Sequence, residues 1–455
     1  MDSSTAVVTN PLVALFGFLG VILLLLFLIA KWRWHVFLAL LVPMLIFGVI
    51  PGVQRNNFIE AFESGFGSTL GSIGVVIVLG SIIAEALRHT GAIQTITRTM
   101  VRLVGSQRMP LALTLTGFIL GVAIFSDVAF VILNPLVHSA AKMMGTTVGV
   151  MSIGLMGSMQ LTHAIVPPTP GPLAAAALLG ADIGATIIYG SVACLAGSLA
   201  GWVWGQYIVG PRLKTLPSDD YAGEDFLAED LDKKLPSTLA SYAPIVVPIL
   251  LISAQSVSRL FLEEDNIIRA GLAYVGWPVM ALCVGLGLAY GNIRTPEQRK
   301  DARSSWVEEG LRVSAMILVV TGLGGSLSEI LRATPAVDYI AGFFADYGLP
   351  SILLPFVIGI VGNMITGSTT VGVITAGSLV APMLGTLALS PEAAMLAGAS
   401  GSIIIKYVNS SYFWVCTSLT RMPVNEALLG YGGASLVCGL VSFLAVWVMW
   451  ALGIV

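Results

Sequence analysis

Thr162-His163-Ala164-Ile165-Val166-Pro167-Pro168-Thr169-Pro170-Gly171-Pro172 lies between apolar runs long enough to enter a membrane, and its reading decides the fold. A proline has no N–H to donate, and its ring clashes with the preceding turn. Four prolines and a glycine in eleven residues therefore cannot continue a helix. Backbone freed in this way is tolerated at membrane depth only where it is buried in protein or lines a watery cavity, so the break itself points to a binding site. The competing reading is a loop at the membrane surface.

The rest of the chain places this stretch in a membrane. Of 455 residues, 56% are hydrophobic and only 10% charged, and the mean hydropathy is +0.91. That is far outside ordinary soluble composition. Apolar runs near twenty residues recur from end to end, each about the length a helix needs to cross ~30 Å of hydrocarbon. A formal charge of −3 gives no argument for nucleic acid. Cys194, Cys283, Cys416 and Cys438 lie in apolar segments without metal-ligand spacing and read as small core residues. The first run, Pro11–Ala30, has no basic region before it and no small-residue cleavage site after it, so it reads as a retained span.

Taken in order, the expected spans are Pro11–Ala30, Trp34–Ile50 and, after a short amphipathic piece at Asn57–Ser64, Gly67–Leu87. In the third, Gly67, Ser68, Gly71, Ser72, Gly74 and Gly80 would permit close helix contact. Arg88 to Arg108 carries four arginines and belongs outside the hydrocarbon. Leu111–Val137 is interrupted at Phe125-Ser126-Asp127-Val128. It is either one kinked span or, the favoured reading, a re-entrant hairpin with Ser126 and Asp127 at its tip. Thr147–Gly180 holds the broken stretch, and Ala185–Val209 follows. The hydrophilic segment Pro211–Pro236, with seven acidic and four basic residues, divides the chain near its middle.

The second half repeats the plan. Tyr242–Leu262, Ala270–Tyr290 and Val313–Leu331 read as spans. Pro350–Leu389 is interrupted at Thr366-Gly367-Ser368-Thr369-Thr370, Ala393–Leu419 is broken around Lys406–Ser411, and Leu428–Leu452 is the last span. Glu85-Ala-Leu-Arg88-His-Thr90-Gly-Ala92 matches Glu329-Ile-Leu-Arg332-Ala-Thr334-Pro-Ala336, and Gly157-Ser158 matches Gly401-Ser402 at the same offset. Ala185–Gly190 resembles Ala427–Gly432 at nearly that offset. Three matches in order are read as an internal duplication. The expected fold is an all-α polytopic membrane protein of two inverted repeats. It has about ten transmembrane helices, two re-entrant hairpins and broken helices at the site. Residues 1–210 form the first repeat, 211–237 a cytoplasmic linker and 238–455 the second repeat.

An odd number of crossings per half would invert the second half. The cytoplasmic face would then hold Lys31, Arg33, the Arg88–Arg108 group, Lys142, Arg212, Lys214, Lys233, Lys234, the Arg294–Arg303 group and Arg421. The other face would hold little more than Arg55, Arg259, Arg269 and Arg332. That division fits the positive-inside rule and puts both termini outside.

Several stretches resemble the gluconate permease (GntP) family over nearly the whole chain. They are Gly65-Phe-Gly-Ser-Thr-Leu-Gly-Ser72, Ser126-Asp-Val-Ala-Phe130 with Asn134-Pro135-Leu136, Leu161 through Pro172, and Ala181-Asp182 leading to Tyr189-Gly190. In the second half, Gly367-Ser-Thr-Thr-Val-Gly-Val-Ile-Thr-Ala-Gly377 and Val408-Asn409 leading to Phe413-Trp414 add to it. The resemblance implies proton-coupled uptake of gluconate or a related small hydroxy acid across the cell's inner (plasma) membrane. It also implies a scaffold domain, a transport domain whose hairpins and broken helices surround the substrate, an elevator mechanism and a homodimer. The chain departs from the family at Ser126-Asp127, where Tyr-Glu is usual, at Thr169, where His is usual, and at Lys406–Ser411, where Ser-His-Val-Asn-Asp-Pro is usual.

The candidate site residues follow from the breaks. Asp127, among Phe125, Val128 and Phe130, is costly to keep charged at membrane depth and is a candidate for binding and proton coupling. His163 titrates near neutral pH when unperturbed and shares both roles, with a packing histidine as the competing reading. Lys406, after Ile403-Ile404-Ile405, either snorkels to the surface or offers its charge to an anion. Ser126, Thr162, Thr169, Gly171, Ser368, Thr369, Thr370, Asn409, Ser410 and Ser411 complete the set. As a group these hydroxyls and amide suit a polyhydroxy acid, and half-helix N-termini suit its carboxylate. Singly, each is as readily a helix cap. Glu85 with Arg88 and Glu329 with Arg332 read as structural pairs. No Gly-x-Ser-x-Gly, His-Glu-x-x-His, P-loop or Cys-x-x-Cys occurs, so no enzyme, metal site or cofactor is expected. The partners expected are a small organic anion, protons or Na⁺, and the lipid bilayer. A sodium-coupled carboxylate carrier is the alternative.

Overall fold

The computed structural model describes residues 6–8, 10–32, 34–218, 235–263, 265–335, 349–407 and 410–455, and every long regular element among them is a helix. The expected sites Arg33, Lys233, Lys234 and Asn409 lie outside the described residues. Seven helices are long and apolar enough to cross a membrane, or nine if two bent pairs each count as one span. Three shorter apolar helices come in addition, so the described residues support a polytopic protein of seven to nine spans.

α1 (Pro11–Ala30) starts on Asn10, whose Oδ1 accepts the backbone N–H of Leu12 at 3.0 Å, with Pro11 in the first turn where its missing N–H costs nothing. α2 is Val36–Gly48 and α3 is Arg55–Thr90. Asn57–Ser64, expected as a separate amphipathic piece, is the first part of α3, a helix about 54 Å long at 1.5 Å per residue. Gly91, with φ of 81°, ends it. α4 (Ala92–Val104) and α5 (Met109–Gly121) meet at a bend of 106°. Arg98 is only 2% exposed, because the inward face of α4 packs on the protein.

The chain breaks over residues 122–125 before α6 (Ser126–Met143). α7 (Val148–Ile165) and α8 (Pro170–Leu179) flank a break at residues 166–169 that includes a cis Pro167–Pro168 bond. The most apolar window of α7 and α8 is wholly buried, so this element is the centre of the molecule and no surface loop. α9 (Ile183–Val203) follows, started by Asp182, whose Oδ1 accepts the N–H of Ala185 at 2.8 Å.

In the second half, α10 is Thr238–Phe261, and α11 (Ile267–Val275) and α12 (Pro278–Tyr290) are bent by 63°. After short α13 (Pro296–Asp301), α14 spans Ser305–Arg332. α15 (Leu353–Thr366) and α16 (Thr369–Val380) are joined by Gly367, which takes a φ of 72°, and Ser368. They cross closely, since a Cβ on Gly372 would meet the backbone N of Asn363 at 3.1 Å. Short α17 (Leu384–Leu387) precedes α18 (Pro391–Gly401). α19 (Ser411–Thr420), short α20 (Val424–Ala427) and α21 (Gly433–Ala451) close the chain.

α3 and α14 run against each other as the longest helix pair. Small residues set their distance; of those singled out from the sequence Gly74 faces α14, where a Cβ would meet Leu318 at 3.7 Å, but the closest approach is at Gly65 and Gly325. A Cβ on Gly65 would lie 2.4 Å from the Gly325 carbonyl oxygen, and one on Gly325 would lie 2.1 Å from Thr69 Oγ1. Gly67 and Gly71 face open space. Ser326 Oγ donates to the Phe62 carbonyl at 2.8 Å and Ser314 Oγ to Ser81 Oγ at 2.9 Å, which ties the pair along its length. Arg88 Nη2 contacts Glu85 Oε2 at 2.7 Å within α3, and Arg332 Nε lies 4.0 Å from Glu329 Oε2 within α14.

Candidate functional site

The breaks in the helices converge. A cavity of about 460 Å³ is lined by Phe125, Ser126 and Asp127 at the start of α6, by Gln160 and His163 on the last turns of α7, and by Thr366 through Thr370 at the α15–α16 turn. Ser410, Ser411 and Tyr412 at the start of α19 complete the polar wall, while Val313, Met316 and Ile317 of α14 supply an apolar one. The reason for the convergence is local. Each broken helix exposes backbone that the hydrocarbon cannot hydrogen-bond, and bringing the breaks together lets them share one polar pocket.

Asp127 sits in the first turn of α6, whose N-terminus has no side-chain cap. It lines the cavity. Lys406 is 4% exposed and does not reach the surface. Its Nζ donates to Thr369 Oγ1 at 2.8 Å and to the Gly367 carbonyl at 3.4 Å. Thr369 Oγ1 also accepts from Gln160 Nε2 at 2.5 Å. One hydroxyl therefore joins α7, the α15–α16 turn and the α18–α19 break.

The remaining expected residues divide by position. Ser368, Thr369, Thr370, Ser410, Ser411, Ser126, Asp127 and His163 line the cavity. Ser368 also caps α16, accepting the Val371 N–H at 3.4 Å, and Ser126 Oγ donates to the Met159 carbonyl at 3.4 Å. His163 packs against Phe125, with ring centroids 5.4 Å apart. It also lines a smaller neighbouring pocket with Thr169, Pro168 and Pro170. Thr169 Oγ1 donates to the Val166 carbonyl at 2.7 Å. Thr162 and Gly171 reach neither pocket. A Cβ on Gly121 would meet Thr162 Cβ at 3.0 Å, and one on Gly171 would meet Thr370 Cα at 3.3 Å, so both stand at close helix crossings.

Sequence reading missed Gln160 and Tyr412. Gln160 lies on unbroken helix, and its signal was a single amide among Met, Gly and Leu residues. Tyr412 stands one residue past the expected set, and its Oη donates to Met159 Sδ at 3.9 Å. Among the described residues, no three His, Cys, Asp or Glu side chains come together to hold a metal ion. What the arrangement offers is one carboxyl, one buried ammonium, a ring of hydroxyls and helix N-termini, a set suited to holding a small polar anion.

Residues 12–453 match the family described as GntP family permease. An uncharacterized permease of Haemophilus influenzae is 32% identical, over 91% of this chain and 87% of its own. A gluconate permease of Pseudomonas aeruginosa is 30% identical over 88% and 89%. The D-serine transporter DsdX of Escherichia coli K12 is 31% identical over 92% and 94%. Among solved structures, the Alcanivorax borkumensis YdaH transporter is similar with a TM-score of 0.62, covering 96% of this chain and 98% of its own, at 14% identity. That likeness is one of fold.

Proposed function

The chain belongs to the GntP family of permeases, a multi-pass membrane transporter and not an enzyme, and on that premise we propose that it is a proton-coupled symporter of gluconate or a related small hydroxy acid. The observation that carries this reading is the cavity at the helix breaks, where hydroxyls, uncapped helix N-termini and the buried Lys406 suit a carboxylate with several hydroxyl groups.

Asp127 is the proposed proton carrier. It is the acid that opens on the cavity, and an ionised carboxylate beside an incoming anion is unfavourable until it takes up a proton. His163, at the wall between the two pockets, is the proposed second group on the proton path. The groups that would otherwise suit Na⁺, the Gly367 carbonyl and the Thr369 hydroxyl, already accept from the Lys406 ammonium, which favours protons over sodium.

The proposed architecture is two inverted repeats, residues 1–210 and 238–455, joined by the linker 211–237. It has about ten spans and two re-entrant hairpins, α5–α6 and α15–α16. In support, each half contains one long helix, α3 or α14, one interrupted pair ahead of the site, and one broken helix at it. We assign α3 and α14 to a scaffold against which the hairpins and broken helices move as an elevator, in a homodimer in the inner membrane.

Asp127 on the cavity wall, with the Lys406 ammonium one hydrogen bond behind that wall at Thr369, gives one specific reason for a second reading, a zwitterionic hydroxy amino acid, since one relative carries the name of a D-serine transporter. Uptake of labelled D-gluconate, L-idonate and D-serine by proteoliposomes, each against the others as competitors, tests both. Saturable uptake of a hydroxy acid supports the first reading, preference for D-serine the second, and uptake of none removes both.

A further inference from the structure

We propose that Thr369 makes the direct contact with the substrate carboxylate, acting only as a hydrogen-bond donor, while Lys406 and Gln160 are positioning residues that aim its proton into the cavity. The inference rests on the carboxylate reading above and adds which atom makes the contact.

A threonine hydroxyl has one proton and two lone pairs. At Thr369 both lone pairs are taken, by the Lys406 Nζ at 2.8 Å and the Gln160 Nε2 at 2.5 Å. Among the described residues no hydrogen bond has the Thr369 hydroxyl as its donor. Among the described residues its proton therefore has no protein acceptor, and the side chain lines the cavity. A hydroxyl that accepts from an ammonium is polarised and becomes a stronger donor.

Such a group favours a ligand oxygen that can only accept, which is a carboxylate, and disfavours one that must donate. Lys406 is absent from the cavity wall, and its charge reaches the ligand one hydrogen bond away, through Thr369. The lysine thereby sets the sign of the ligand, and the threonine sets the position of its carboxyl group. Gln160 prevents the hydroxyl from turning its proton back towards α7.

The test is direct binding of D-gluconate, L-idonate and D-serine, each of which carries a carboxylate, to the detergent-purified full chain and its variants, with thermal unfolding as the check on folding. Thr369→Ser keeps the hydroxyl and should bind within about threefold of the parent. Thr369→Val keeps the shape, loses the donor to a charged group, and should bind about 10- to 100-fold more weakly. Gln160→Met should weaken binding about 3- to 10-fold in the parent, and not at all in the Thr369→Val background if, as proposed, it acts through that hydroxyl and not by touching the ligand from the cavity wall. A Thr369→Val variant within threefold of the parent overturns the contact. Equal effects of Gln160→Met in both backgrounds overturn the positioning role and point to a direct contact from the cavity wall or to structure alone. A parent that binds none of the three acids removes the carboxylate reading and this contact with it, an outcome distinct from a parent that binds and a valine variant that binds equally well.

Discussion

Lys406→Met removes the buried ammonium behind the cavity wall while keeping an apolar stem of similar length. In the parent, Nζ is buried and bonded to Thr369 Oγ1 at 2.8 Å. A carboxylate held by the far side of that hydroxyl would sit about 5 Å from the charge, where an effective dielectric near 20 gives an attraction of about 3 kcal/mol. Part of this is offset by desolvation of the anion, so a net loss of about 1.5–3 kcal/mol is expected, or roughly 10- to 100-fold in affinity. Stability should change much less, since exchanging a buried charge for an apolar group of similar volume is often neutral or stabilising. Isothermal titration of the acid that the parent transports, on purified parent and variant, reads the affinity, and thermal unfolding reads the fold. Affinity within twofold of the parent, in a variant that unfolds at the parent's temperature, would refute the electrostatic role. Lys406→Arg keeps the charge without the compact ammonium geometry and should recover only part of the loss.

Asp127→Asn should abolish uptake driven by a pH gradient while leaving substrate exchange, read as counterflow of labelled acid; normal concentrative uptake would remove Asp127 from the coupling step. Gly325→Val places a methyl-bearing carbon 2.1 Å from Thr69 Oγ1 and 2.4 Å from the Gly65 carbonyl oxygen, and should lower stability by at least about 1–3 kcal/mol in thermal unfolding. Gly71→Ala, which meets open space, should stay within about 0.5 kcal/mol, and equal losses would contradict the packing described for α3 and α14. Cysteines placed at the exposed positions Asp265 and Arg299 should be labelled from outside and from the cytoplasm respectively, in intact and permeabilised cells. The reverse pattern would overturn the orientation.

How much of this was legible in the residues depended on whether the signal was local. The break at Val166–Thr169 could be read because four prolines crowded into residues 167–172 remove more helix donors than a helix interior tolerates, and the turn at Gly367-Ser368 could be read because the polar run Thr366–Thr370 interrupts an apolar stretch. The face of a helix that meets its partner is not local. Gly67 and Gly71 look as suited to close contact as Gly65, yet only Gly65 points at Gly325, a choice made by the crossing of α3 with α14. Asn57–Ser64 is polar enough to suggest a surface piece, but nothing in it stops a helix, and α3 runs straight through.

The site divided in the same way. Ser126, Asp127, Ser368, Thr369, Thr370, Ser410 and Ser411 stood at breaks, and the structure gathers them into one cavity. Thr162 and Gly171 stood at the same break and turned towards neighbouring helices, because a broken helix still has a packed side. Gln160 was hidden by a regular helix, and the partners of Lys406 could not be inferred, since 39 positions separate it from Gly367 and only the folded chain closes that distance.

The central claim is that a proton gradient drives a small hydroxy acid through this cavity. Its most direct measurement is uptake of labelled D-gluconate and L-idonate into proteoliposomes with an inward proton gradient or an inward sodium gradient imposed separately. The account predicts accumulation above equilibrium with the proton gradient, collapse on adding a protonophore, and no stimulation by sodium. Accumulation that requires the sodium gradient and ignores the proton gradient would contradict it.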